Sequence, residues 1–240
     1  MRRLLIRPGA IGDVILSLPE LEAARADYTE VWAPRPVLPL IRFADRTRAI
    51  ADTGLDLIGV DEAARVPALE SFDSIYSWYG TNRPEFRAAV AGLPFTFFPA
   101  FPIPRLGDPR IRVPDAPIQD FAAIHPFSGS PRKNWPLDHF RAVAEKLPCA
   151  VKWIAGPEDT LPDAVRYDDL YDLACWLATS RLYIGNDSGI THLAAAAGVP
   201  VIAIFLTTDP AVWAPRGPRV IALRDPSVDQ VLDAARLLIR

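Results

Sequence analysis

The stretch from Leu182 to Thr208, LYIGNDSGITHLAAAAGVPVIAIFLTT, leaves little freedom in what the chain can fold into. Leu182, Tyr183 and Ile184 read as a buried strand, and Gly185, Asn186, Asp187, Ser188 and Gly189 break it with residues that favour turns and helix caps. The spacing predicts a helix over Ile190 to Ala197, stopped by Gly198 and Pro200. Its second half is almost all alanine, so it has to lie tight against a sheet. A strand that runs into a helix N-terminus aims free backbone N–H groups and the positive end of the helix dipole at whatever lies beyond the strand. A phosphate or diphosphate is the natural guest, approached past the small residues Ser188 and Gly189. Units of this kind stack into parallel sheets with ligands at the carboxyl ends of the strands.

The chain begins with the same device. Leu4 to Ile6 is a strand, Arg7 to Gly12 a turn, and Asp13 opens a helix with Val14, Ile15, Leu18 and Leu21 on one face. Gly9 and Gly12 do not fit the spacing of a dinucleotide fingerprint. Glu30 to Ala33 reads as a strand, Pro36 to Phe43 as a helix, and Leu57 to Val60 and Ser74 to Trp78 as further strands. From Phe95 to Gln119 the chain is rich in proline and has no sustained period, which marks a linker. A second α/β half follows. Its expected strands are Phe121 to His125, Ala150 to Ala155, the strands of the opening unit and Val220 to Leu223; its helices are Leu137 to Lys146, Tyr171 to Ala178 and Val228 to Leu238. The expected architecture is α/β, with two Rossmann-like halves facing a cleft. The domains are 1–105, a linker at 106–119, and 120–240.

The 240 residues suffice for a large core, and 50% apolar with 23% charged residues is ordinary for a globular chain. A net charge of −3 without a basic block argues against nucleic acid as a partner. Cys149 and Cys175 show no metal-binding spacing and read as buried thiols. The apolar run at the N-terminus is cut by Arg7 and Pro8, so no signal peptide is expected, and no run approaches a membrane span. The expected location is the cytoplasm.

Three segments carry a resemblance. Arg7-Pro8-Gly9-Ala10-Ile11-Gly12-Asp13-Val14, then His125 to Ser130 with Lys133-Asn134-Trp135-Pro136, then Gly185 to Leu193 resemble, in order and spacing, the ADP-heptose:lipopolysaccharide heptosyltransferases of glycosyltransferase family 9. The resemblance implies a GT-B fold, here reduced in size, with an N-terminal domain for the acceptor and a C-terminal domain for the nucleotide sugar. It further implies inversion at the anomeric carbon with no metal and no cofactor, the nucleotide sugar being a substrate. Its other partner is a glycan or lipid-linked acceptor, met at the cytoplasmic face of the inner membrane. The chain departs from the family in its trimmed acceptor half and in lacking a donor-domain helix between Glu158 and Asp169.

Inverting transfer needs a base for the acceptor hydroxyl, and Asp13 at its helix start matches the family's proposed base; the alternative is a helix-capping aspartate. Gly9 and Gly12 shape the loop beside it. The charge on a departing nucleoside diphosphate has to be met by Lys133, by hydroxyls and by backbone N–H groups. Lys133 stands where the family carries a phosphate-binding lysine; alone it would read as a surface lysine. Ser128, Gly129 and Ser130 form a second small-residue turn fit for phosphate or sugar. Asp187 either caps its helix or, as the resemblance implies, lies beside the donor sugar. Ser188, Gly189, Thr191 and His192 complete the phosphate end, with His192 as a structural hydrogen-bonder or a phosphate contact. Glu158 lies where the family contacts the ribose. Two other functions fit the same pattern: a nucleotide-sugar epimerase, and a nucleotide-binding module without catalysis.

Overall fold

A computed structural model of the chain describes residues 1–61, 64–101 and 106–239. It divides into two units, Met1–Gly107 and Asp108–Arg240. Each is built on a five-stranded parallel sheet.

In the first unit the strands are β1 (Arg2–Ile6), β2 (Tyr28–Ala33), β3 (Arg46–Ala49), β4 (Ser74–Ser77) and β5 (Phe95–Phe97), in the order β3-β2-β1-β4-β5. The helices are α1 (Ile11–Ala23) and α2 (Pro84–Ala89). Leu4, Ile6, Trp32, Ile75 and Phe86 share one core on one side. Val14, Ile15, Leu18 and Leu21 of α1 are buried, as their helical spacing predicts.

Three expectations fail here. The helix expected over Pro36 to Phe43 is a 3-10 helix at Arg35–Leu40, because Pro36 and Pro39 lack the N–H groups an α-helix would use. The strand expected at Leu57 to Val60 is a 3-10 turn at Leu55–Leu57 followed by an isolated bridge between Ile58 and Asp61. The actual strand is β3, a polar edge strand that leaves no apolar alternation in the sequence. The proline-rich stretch also opens on a strand, β5, whose flanking Pro94 and Pro99 are tolerated because β5 is an edge. Residues 102–105 of that stretch lie outside the described residues.

The second unit contains β6 (Phe121–His125), β7 (Ala150–Trp153), β8 (Leu182–Asn186), β9 (Val201–Phe205) and β10 (Val220–Arg224), ordered β10-β9-β8-β6-β7. Its helices are α3 (Leu137–Ala144), α4 (Leu170–Leu177), α5 (Gly189–Ala196), α6 (Pro210–Trp213) and α7 (Val228–Leu238). One core joins Ala122, Ile124, Leu182, Ile184, Ile202 and Ile204 of the sheet to Phe140 and Val143 of α3 and Val231 and Leu232 of α7. Residues 108–119, expected as linker, are packed on this unit. Ile111 is buried and donates its N–H to Ala196 O at 2.9 Å, and Gln119 N–H reaches Thr179 O at 2.7 Å. Among the described residues no helix lies between β7 and α4. Cys149 and Cys175 are half-buried rather than buried. Among the described residues no helix is long and apolar enough to cross a membrane.

Candidate functional site

In each sheet the first strand sends its successors to opposite sides, so chain order reverses between β1 and β4 and again between β6 and β8. Loops leaving the carboxyl ends of such strand pairs frame a crevice. Asp13 follows β1; His125 ends β6 and Pro126 to Lys133 follow it; Asp187 to Gly189 follow β8.

Around β1 the turn is held from beneath. Arg7 is 1% exposed, and its Nε donates to Ser17 Oγ at 2.8 Å, while Ser17 Oγ donates to Asp13 O at 2.8 Å. Burial pulls the Arg7 pKa down, and the carboxylates of Asp13 and Glu20 oppose that pull. Burial conversely raises the pKa of Glu20, with Arg7 opposing. Asp13 does not open the helix: the N-cap is Ala10, and Asp13 Oδ2 reaches back to accept the Ala10 N–H at 2.9 Å. Gly9 has φ +126°, and a Cβ there would stand 3.0 Å from Asp13 Oδ2, so glycine is required for the carboxylate to sit under the loop. Gly12 lies within the first turn of α1.

The second crevice is set by Asn186, which is fully buried. Its Nδ2 donates to Pro126 O at 2.7 Å and its Oδ1 accepts the Trp135 N–H at 2.9 Å, so one side chain anchors both ends of the loop carrying Ser128, Gly129, Ser130 and Lys133. Trp135 is itself buried against Phe140, with Nε1 donating to Pro226 O at 3.1 Å. Ser128 Oγ lies 2.7 Å from Asn134 Oδ1 and 2.8 Å from Ser130 O; its single proton serves one at a time. Gly129 is exposed.

Ser188, not Asp187, caps α5, its Oγ accepting the Thr191 N–H at 3.4 Å. That frees the Asp187 carboxylate, whose Oδ2 accepts from Lys133 Nζ and from Thr208 Oγ1, each at 2.7 Å. Lys133 is thereby delivered beside the start of α5. The N–H groups of Ser188, Gly189 and Ile190 meet no acceptor among the described residues. Thr191 is fully buried, its hydroxyl shared among Asn186 O, Ser188 Oγ and Tyr183 OH, so it braces the turn from behind. The Tyr183 phenol, whose pKa burial raises, crosses Gly185 so closely that a Cβ on Gly185 would lie 2.5 Å from its oxygen. Gly185 and Asn186 therefore belong to the strand, not to the turn expected from sequence. His192, in the first turn of α5, is 6% exposed. Glu158 is exposed in the turn after β7, where Asp159 Oδ2 accepts the Gly156 N–H at 2.7 Å. Among the described residues no three His, Cys, Asp or Glu side chains cluster as metal ligands would.

His125 ends β6 with 6% exposure and an Nδ1 that has no hydrogen-bond partner among the described residues. Burial lowers its pKa to about 4 from 6.5, against the pull of Asp159. The folded state thus keeps it neutral while the unfolded chain takes up a proton below pH 6.5, so stability falls as pH drops from 6.5 towards 4. Denaturant midpoints at pH 7 and pH 5 are expected to differ less in His125→Gln than in the parent; an equal difference would assign the slope to other groups.

The model of glycosyltransferase family 9 (heptosyltransferase) matches residues 111–231. A family 9 glycosyl transferase from Veillonella parvula superposes with a TM-score of 0.76 at 16% identity, covering 99% of this chain and 97% of that one. E. coli ADP-heptose lps heptosyltransferase II gives 0.74 at 17% identity, with 100% and 98% covered. E. coli heptosyltransferase WaaC with ADP gives 0.66 at 15%, with 100% and 99% covered. At such identities the likeness is one of fold. None of the curated proteins matches significantly. Because the family model takes in half of the chain, including both the Lys133 loop and the whole β8-α5 turn, the chain belongs to glycosyltransferase family 9 (heptosyltransferase).

Proposed function

We propose that the chain is an inverting, metal-independent glycosyltransferase on the GT-B plan, moving heptose or a related sugar from an ADP-linked donor. The acceptor is a lipopolysaccharide or another glycan, met at the cytoplasmic face of the inner membrane. The observation that carries the reading is Lys133, fixed by Asp187 at 2.7 Å beside the open N-terminus of α5, the arrangement a departing diphosphate needs. Two relatives, a heptosyltransferase bound to ADP and an ADP-heptose heptosyltransferase, support the choice of donor.

In this mechanism the acceptor hydroxyl attacks the anomeric carbon from the face opposite the nucleotide and its proton passes to Asp13. The bond from the anomeric carbon to the diphosphate oxygen breaks, and the electron pair leaves with the diphosphate. Lys133 and the N–H groups of Ser188 and Gly189 take up the charge. The Ser128 to Ser130 turn and Glu158 serve the rest of the donor.

Calorimetry with ADP, UDP and GDP, followed by a transfer assay with ADP-heptose, tests the reading; binding of none of the three would overturn it. Lys133→Ala is expected to weaken ADP binding by about 1.5–3 kcal/mol, the scale of a charge-assisted hydrogen bond. A modest loss of stability accompanies it, because Asp187 is left buried without its cation. An unchanged dissociation constant would remove Lys133 from the site.

A further inference from the structure

Three loops converge on one oxygen. Lys133 follows β6, Asp187 follows β8 and Thr208 follows β9, and both Lys133 Nζ and Thr208 Oγ1 lie 2.7 Å from Asp187 Oδ2. The Asp187 side chain is 8% exposed and that of Lys133 33%. Asp187 Oδ1 takes no hydrogen bond from any described residue. With Lys133 as its only partner the carboxylate could turn and offer either oxygen, since an ammonium on a flexible four-carbon stem follows wherever it goes. A second bond to the same oxygen, from a short β-branched side chain with few rotamers, removes that freedom.

We infer that Thr208 is a positioning residue of the donor site: it fixes the Asp187 carboxylate so that Oδ2 holds Lys133 towards the diphosphate while Oδ1 is left to the sugar. The inference rests on the donor reading above. It adds a residue that none of the three motifs contains.

The test is a double-mutant cycle read by ADP calorimetry. Thr208→Val keeps size and branching and removes the hydroxyl. It is expected to weaken ADP binding about five- to tenfold, and Thr208→Ser to restore most of the loss. In a Lys133→Ala background the same Thr208→Val change is expected to add less than about twofold, because the group it positions is gone. Should Thr208→Val not fold, Thr208→Ala is carried through the same cycle. Equal fold losses in both backgrounds, or no loss in the parent although ADP binds, would overturn the positioning role. Failure of the unmodified protein to bind ADP, UDP or GDP would instead overturn the donor reading.

Discussion

Asp13→Asn is expected to lower the rate of sugar transfer by a factor on the order of 10² to 10⁴ while the fold and the affinity for ADP stay as they are. The proposed mechanism gives Asp13 two separable tasks. One is structural: Oδ2 accepts the Ala10 N–H at 2.9 Å and closes the first turn of α1. An asparagine oxygen can accept the same bond, so the stability change should stay below about 1 kcal/mol. The other, under the proposed mechanism, is to take a proton, which an amide cannot do. Product formation from ADP-heptose and an acceptor measures the effect directly, and slow hydrolysis of the sugar nucleotide by water is a surrogate. Transfer at the parental rate would leave Asp13 as a helix-end residue only.

Asn186→Leu is expected to cost about 2–6 kcal/mol of stability and to weaken ADP binding with it. Leucine keeps the branching and heavy-atom count of asparagine, so no cavity is left, and its greater bulk only adds to the cost of the lost hydrogen bonds. It strips the Trp135 N–H of its acceptor and the Pro126 carbonyl of its donor, both buried, and each orphaned group costs about 1–3 kcal/mol. The loop between those two points carries Lys133, which is why a change inside the sheet should be felt by the nucleotide. Denaturant unfolding and ADP calorimetry on the same sample check both parts. A destabilised protein with parental ADP affinity would show that the loop keeps its shape without its anchor.

The second sheet was legible because its central strands β6, β8 and β9 are buried on both faces and read as short unbroken apolar runs. Phe121 to His125 and the helix Val228 to Leu238 match their expected bounds. The first unit was harder to read. The polar edge strand Arg46–Ala49 has no alternation to betray it, α2 spans six residues, and Phe95–Phe97 is disguised by its prolines. Within the candidate site, motif spacing brought Lys133, Asp187 and Ser188 to notice. It could not say which of the adjacent Asp187 and Ser188 caps α5, since both residue types do so; the Lys133 ammonium and the Thr208 hydroxyl settle the matter by claiming the carboxylate. Nor could it find Thr208, which lies 21 residues on and meets Asp187 only because β8 and β9 are neighbours. Asn186 was read as a turn former, and its role as an anchor became visible only with its two backbone partners.

Leu193 is the one bulky residue between His192 and Ala197, and Leu193, Ala194, Ala195 and Ala196 are all buried. Alanine has no side-chain rotamers to rearrange, so a helix seated on its methyl groups has a single distance at which it fits and no soft contacts along which to slide. The N–H groups at its head are therefore set before any anion arrives. Ligand binding there gives up little conformational freedom, and what affinity the helix end supplies is not spent on ordering it. A longer side chain anywhere on that seat would be felt as displaced N–H groups at the helix start, where the donor diphosphate is proposed to bind, far from the atom that was changed.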